Sequence, residues 1–373
     1  MNHYLELARS AYVEYADYLW RDIANPRWSS YFYVLIFVSV VFFLLEVVRP
    51  WRKQQAILRK DFFLDLFYMF FNFFLFSLLV YNAASMVVVE SINDGIRTIT
   101  GGFDLQASNP LQHWPLWAVL LTGFVVRDFI QWWIHRLLHR VDFLWKFHQV
   151  HHSVREMGFA AHLRFHWMEI VVYRSIEYLP LALLGIGLYD FFIIHLFGLA
   201  WGHYNHANFR LPHWVSGGIV GALTGLAIGS GSFDIDLLAR TGPWTTIAGG
   251  ALGFATGAAV LRPLMPYLFN SPEMHLWHHA RHLPEDRRYG ANFGLTLSVW
   301  DYLFGTDYVP EKSGTIALGF PGVESFPSGF IQQELVGFAS NDRKGNAGSG
   351  DRSAAASISD RSSRVPATSS ENS

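Results

Sequence analysis

The first thirty residues mix apolar positions with Glu6, Arg9, Glu14, Asp17, Arg21 and Asp22. Charges at that density interrupt any leader-type apolar stretch, so the pattern predicts an amphipathic helix at a membrane interface over 1–30. Residues 31–48, YFYVLIFVSVVFFLLEVV, then run almost uncharged for eighteen positions, just enough to cross a bilayer as a helix. A second apolar stretch from Phe62 to about Val89 predicts another span, with Asp65 near its start. The Gly, Asn and Asp content of Ser91–Trp114 predicts an exposed loop. A third span is expected over Pro115–Ile134. Shorter segments over 170–187 and 188–204 predict a hairpin turning through Gly185 and Gly187.

Glycine and alanine recur every three or four positions through 216–262, the pattern of closely packed membrane helices. Each half of that insert is short for a full span, so a re-entrant or poorly spanning hairpin is expected. From 340 to 373 the chain has almost no large apolar residue and should be disordered. The organisation expected is an all-α, multi-spanning membrane domain over 31–339, with its core at about 115–310. The basic loop after the first span, with Arg49, Arg52, Lys53, Arg59 and Lys60, should be cytoplasmic under the positive-inside rule. Counting five crossings from there places every histidine cluster on that same cytoplasmic face.

Composition narrows the chemistry. Charged residues make up 16% of the chain, against about 25% in soluble domains. The 32 Phe, 16 Tyr and 14 Trp suit lipid-facing helices with interfacial anchors. A formal net charge of −2 gives no reason to expect nucleic acid as a partner. The absence of cysteine excludes disulfides, iron–sulfur clusters and thiolate zinc sites carried by this chain.

Histidine is where the pattern becomes chemical, because fifteen of the 17 histidines lie between His135 and His282. His135 and His139 form HxxxH; His148, His151 and His152 form HxxHH, and His275, His278 and His279 repeat it. Positions i, i+3 and i+4 share one helix face, so each motif can present its imidazoles together from one rigid element. His203 and His206 stand three apart at the expected cytoplasmic end of a span, and spacing favours neither. Two metals of coordination number five or six need roughly eight to ten protein ligands if water fills the rest, close to what the motifs supply. Neutral imidazole suits iron, copper, nickel and zinc, so spacing does not choose the metal. Lone residues such as His3, His113, His195 and His213 read as ordinary histidines. Helical spacing nominates Asp128 (seven before His135), Glu156 (four after His152) and Glu169 (three after His166) as carboxylates that orient ligands.

The stretches DFIQWWIHRLLHRVDFLWKFHQVHHS, LRFHWMEI, HANFRLPHW, NSPEMHLWHHARH and YGANFGLTLSVWDYLFGT occur in this order between about Asp128 and Thr306. In them the chain resembles the fatty acid hydroxylase / sterol desaturase superfamily of integral-membrane di-iron enzymes. The resemblance implies a membrane helical anchor with a cytosolic histidine-rich helical cap. It implies two iron ions held by His135, His139, His148, His151, His152, His206, His275, His278 and His279, with His166 a tenth candidate and His203 ranked below His206. Asp301, in SVWDYLFGT, is expected to orient the last helix, and His282 is not expected to ligate. O2 would be co-substrate and a membrane lipid (sterol, fatty acyl or related) would be hydroxylated or desaturated. Electrons must come from an external cytochrome- or ferredoxin-type donor, since no dinucleotide fingerprint or cluster motif is present. The alternatives are a membrane zinc-dependent hydrolase and a non-enzymatic metal-binding membrane protein; no G-x-S-x-G motif supports a serine esterase.

Overall fold

The computed structural model describes residues 2–27, 30–102, 110–229, 243–310 and 316–338. The expected tail at 340–373 and the middle of the glycine-rich insert lie outside these. The chain divides into a unit over Met1–Glu334 and a second over Leu335–Ser373, of which only the turn at 335–338 is described. All regular structure among the described residues is helical, with two isolated bridges, Phe269 with Leu297 and Ala280 with Leu318.

Apolar sequence makes the outer helices. The helices are α1 (Asn2–Ala24), α2 (Tyr31–Val48) and α3 (Phe62–Phe70), the last running on through wide π turns at Phe71–Leu75 and Ser77–Tyr81 into α4 (Asn82–Thr100). Two stretches, Tyr31–Val48 and Phe62–Leu79, are long and apolar enough to cross a membrane. Along α2 the apolar side chains point outward, Phe37 at 68% and Val48 at 79% exposed. An all-round apolar helix left uncovered belongs in lipid rather than water.

The remaining helices depart from simple spans. They are α5 (Leu116–Arg140), α6 (Asp142–His152), α7 (Trp167–Leu183), α8 (Leu188–His206), α9 (His213–Gly229) and α10 (Pro243–Val260). Short helices follow: α11 (Met265–Leu268), α12 (Pro272–His278), α13 (Val299–Leu303) and α14 (Phe330–Glu334). The expected third, fourth and fifth spans are helices, yet none passes as a membrane span by length and composition. The reasons differ: α5 carries Arg127 and Asp128 within its apolar run, α7 is only 17 residues long, and α8 ends in the polar stretch GHYNH. The loop expected over Ser91–Trp114 is also corrected, because α4 continues to Thr100. Its polar residues are helical because α4 packs along α1, where Tyr4 Oη donates to Asp94 Oδ2 at 3.0 Å.

One end of the bundle gathers the chain's polar ties. Glu46, near the end of α2, accepts from the backbone N–H of Phe159 (2.8 Å) and of Asn208 (2.6 Å). Arg59 pairs with Asp65 at 2.9 Å, and Arg164 with Asp65 at 3.0 Å and Asp61 at 3.3 Å. Arg52 donates to Met157 O at 2.7 Å. Two of the five loop cations thus face inward as structural groups, leaving Arg49, Lys53 and Lys60 exposed. The ends of α2, α5 and α8 and the starts of α3 and α7 meet at this pole.

The glycine-rich insert is a tight antiparallel hairpin of α9 and α10. Gly217, Gly221 and Gly225 face Gly257, Gly253 and Gly249, so each backbone rests directly on the other. A Cβ at Gly221 would collide with Gly253 O. Outward, Leu223, Trp244 and Leu252 are exposed, as on a lipid-facing pair. In a chain without cysteine, Gly217→Cys with Leu261→Cys should form a disulfide under mild oxidant: a Gly217 Cβ would lie 3.3 Å from Leu261 Cβ and 2.8 Å from Gly257 O, and the few tenths of an ångström by which the helices must ease apart bring the Cβ pair into disulfide range. Adding Gly221→Leu should abolish that cross-link in a non-reducing gel. Unchanged cross-linking would show that the glycine contact does not set the spacing.

Candidate metal centre

Four helices converge on one buried site. HxxxH at the end of α5 brings His135 and His139; α6 brings His148, His151 and His152; the end of α8 brings His206; and α12 with the residue after it brings His275, His278 and His279. Ser271 caps α12 by accepting from Met274 N, with Pro272 in the first turn, so seven helical residues are enough to aim three rings. Their nitrogens fall into two groups, His135, His139, His148, His152 and His278 in one and His151, His206, His275 and His279 in the other. Within each group the candidate ligand atoms lie within 4.8 Å of one another.

Backbone carbonyls set the tautomers. Nδ1–H of His135 donates to Phe293 O, that of His278 to Ala291 O and that of His206 to Gly202 O, each at 2.8 Å. A carbonyl only accepts, so the proton of each neutral ring sits on Nδ1 and Nε2 keeps its lone pair. His148 Nδ1 faces Glu169 Oε1 in the same way at 3.0 Å. The Nε2 atoms then face each other, 3.2 Å apart for His135 and His148 and 3.1 Å for His152 and His278. In the second group His206 Nε2 lies 2.9 Å from that of His275 and 3.3 Å from that of His151. His139 Nε2 is buried with no hydrogen-bond partner. Lone pairs aimed at one another are repulsive, and a cation between them converts the repulsion into ligation. The donor set fits a pair of borderline metal ions.

Burial keeps the rings in the ligating form. It pushes His135 down to about 4 and His139, His148, His151, His152, His278 and His279 well below the ordinary imidazole value, with neighbouring imidazoles lowering most of them further. The same desolvation pushes the Glu169 carboxyl well up, and Glu334 adds to it. Alone, Glu169 and His148 favour a neutral pair. A metal on His148 Nε2 would supply the positive charge that holds the carboxylate ionised.

The expected supporting carboxylates act differently from their assignment. Glu169 holds His148 rather than His166, because α6 and α7 pack together. Asp128 touches no ligand: it accepts from Thr296 N (3.2 Å), Leu297 N and Trp300 Nε1 (2.9 Å). Glu156 is four residues past His152, but α6 ends at His152, so helical spacing does not apply. Asp301 takes the larger role, accepting from Phe293 N (2.9 Å), Gly294 N (2.8 Å) and Trp132 Nε1 (3.0 Å). It thereby fixes the carbonyl that orients His135. Asn292, at φ 55° and fully buried, donates to Met274 O and Tyr308 O, both at 2.8 Å, and holds the same segment.

Two further candidates stand outside the groups. His166 is the N-cap of α7: its Nδ1 accepts from Met168 N at 3.0 Å, and its Nε2 donates to Glu334 O at 2.9 Å. His203 faces away, with Nε2 3.1 Å from Ser39 Oγ and Nδ1 3.1 Å from Leu199 O. His282 is exposed. His162 was not singled out by spacing, although it stands four before His166. It lies 3.1 Å from His203, with its ring centroid 5.1 Å from that of His206, against a face of α8 that Gly202 leaves open.

A cavity of about 290 Å³ opens from the histidines between α5, α7 and α8. His135, His148, His151, His206 and His275 line it at one end, and Arg127, Gln131, Tyr173, Arg174, Glu177 and His195 line the rest.

Residues 120–225, which carry six of the nine grouped histidines, match the fatty acid hydroxylase family. An ornithine lipid hydroxylase of Rhizobium tropici is 27% identical over 231 residues, 62% of this chain and 54% of that protein. An alkylglycerol monooxygenase of Xenopus tropicalis is 24% identical over 196 residues, 52% of this chain and 31% of its own. A very-long-chain aldehyde decarbonylase of Oryza sativa subsp. japonica is 45% identical over 56 residues, 15% of this chain and 18% of its own. The alignments span about half or less of these relatives. No solved structure matches the chain.

Metal analysis of single variants tests the grouping. The purified protein should hold about two metal ions per chain, as two histidine groups require. His206→Ala and His278→Ala should each lower that number, while His203→Ala should leave it unchanged. Glu169→Gln should weaken binding about ten- to a hundredfold, the usual cost of losing a ligand's hydrogen-bond partner. Full occupancy in His278→Ala, or loss in His203→Ala alone, would contradict the grouping.

Proposed function

This chain belongs to the fatty acid hydroxylase superfamily, and from that premise we propose that it is a multi-pass membrane oxidoreductase hydroxylating a lipid with O2, at two iron ions held by the two histidine groups. The observation that carries the reading is the pair of converging Nε2 groups at the closed end of a cavity between helices. Iron bound there supplies the O2-activating redox chemistry that side chains lack. Everything else falls to the chain.

Phe293 O, Ala291 O, Gly202 O and Glu169 hold the rings with Nε2 inward. Phe165 stacks on His151, ring centroids 5.0 Å apart, and helps exclude water where the cavity meets the second group. The cavity positions a lipid C–H bond against the histidines. Hydroxylation consumes O2, two electrons and two protons and releases water with the product. A one-electron carrier of cytochrome or ferredoxin type is the proposed donor, since the chain has no cysteine for a cluster. Exposed Arg49, Lys53 and Lys60 beside the histidine pole favour a cytoplasmic site. The relatives named as hydroxylase and monooxygenase favour hydroxylation over desaturation.

The test supplies 18O2 and a chemical or protein electron donor to the iron-loaded protein with a total lipid extract, and reads lipids by mass spectrometry. One labelled hydroxyl should appear on a lipid class, and His278→Ala should lower its yield at least a hundredfold. Lipid cleavage without O2 uptake, in a protein that purifies with zinc, would replace this reading with a hydrolase.

A further inference from the structure

The cavity wall away from the histidines holds charges that ligation does not use, and one of them, Arg174, has no carboxylate partner among the described residues. Arg127, Gln131 and His135 follow at intervals of four on one stripe of α5, and all three line the cavity. Eight residues at about 1.5 Å each place the Arg127 level about 12 Å from the His135 level along the helix. α7 runs back alongside, with Glu169 against His148 and Glu177 against Arg127 (3.5 Å) and Gln131 (2.5 Å). On α8, Gly198 leaves room for Arg127, whose Nη1 would lie 3.4 Å from an added Cβ.

The charge balance at this end is unequal. Glu177 is taken up by Arg127 and Gln131. Arg174 lines the same cavity, half-buried, and no carboxylate among the described residues pairs with it. Both guanidinium groups lie over the Phe191 ring, Arg127 at 5.1 Å and Arg174 at 5.4 Å from its centroid, so they stand on one site. An unpaired cation on a largely apolar helix whose two carboxylates are engaged elsewhere is costly and marks a ligand path. Guanidinium matches the planar fork of an oxyanion.

We propose that Arg174, backed by Arg127, is the head-group subsite of the cavity and takes an amphiphile ending in an anionic oxygen group, a carboxylate or a phosphate. The chain of that amphiphile runs along α5 past Gln131, from the Arg127 level to the His135 level about 12 Å further along the helix. This rests on reading the cavity as the lipid's seat, but binding can be measured without turnover.

The experiment uses full-length, metal-loaded protein in neutral detergent under argon, and measures dissociation constants for dodecanoate, dodecyl phosphate and dodecanol. At least one of the two anions should bind ten times more tightly than the alcohol, and the tighter one identifies which oxyanion the subsite prefers. Arg174→Gln should remove that advantage while leaving dodecanol affinity and metal content unchanged, and Arg174→Lys should restore part of it. Equal binding of alcohol and both anions by the unmodified protein, or an anion preference that survives Arg174→Gln, would overturn the subsite. If the anions bind as expected and no lipid is oxidised, the subsite stands and the proposed activity fails.

Discussion

Nine imidazole lone pairs brought into two groups make a demand that the rest of the molecule answers. Left alone they repel, since His135 and His148 present unprotonated Nε2 atoms 3.2 Å apart in a buried site. His135, His278 and His206 cannot relieve this by donating from Nε2, because Phe293 O, Ala291 O and Gly202 O already hold their Nδ1 protons. A cation at the centre of each group would turn the facing lone pairs into ligation. The hydrogen bonds that face away from the centre thus fix which ring nitrogens a metal would meet.

Those outward bonds come from irregular backbone, and buried irregular backbone needs its own partners. The segment around 290–297 is fixed by Asp301, Asn292 and Asp128, which together satisfy N–H groups at Phe293, Gly294, Thr296 and Leu297. The segment around 157–165 is fixed by Glu46, Arg52, Arg164 and Asn72. Buried ion pairs such as Arg59–Asp65 add little net stability, but removing one partner would strand the other charge, at about 3–5 kcal/mol. The polar groups at this pole thus act as specifiers of position.

Toward the bilayer the logic reverses. α2 and the α9–α10 hairpin expose apolar side chains and keep small or polar groups inside. α5 and α7 keep charges on the faces they turn to the cavity, and α8 turns histidines, Asn205 and small residues to it. A lipid entering between them would leave an apolar surround for a channel that is polar at the head and imidazole-lined at the reacting end.

Local spacing determined what the sequence by itself could determine. HxxxH and HxxHH place rings on one helix face through covalent geometry, so eight of the nine grouped histidines were legible as three sets before any fold was known. The apolar run 31–48, the turn through Gly185 and the glycine stripe of the insert were legible for the same reason. What depends on partners distant in the chain was decided only in the tertiary structure. Glu169 was assigned by spacing to His166 and found its partner on α6; Asp128 stands on the expected helix yet serves a segment 168 residues away. His203 and His206 are equivalent by spacing, and only the packing of α8 against Ser39 on one side and His275 on the other separates them. His162 drew no notice because its neighbour in space, the bare backbone of Gly202, leaves no mark at its own position. Polar residues 91–100 read as loop until α1 covers them, and the charges of α5 and α7 read as span interruptions until a cavity lies between them. Periodicity reports which face a residue occupies; the packing of the helices supplies what that face meets.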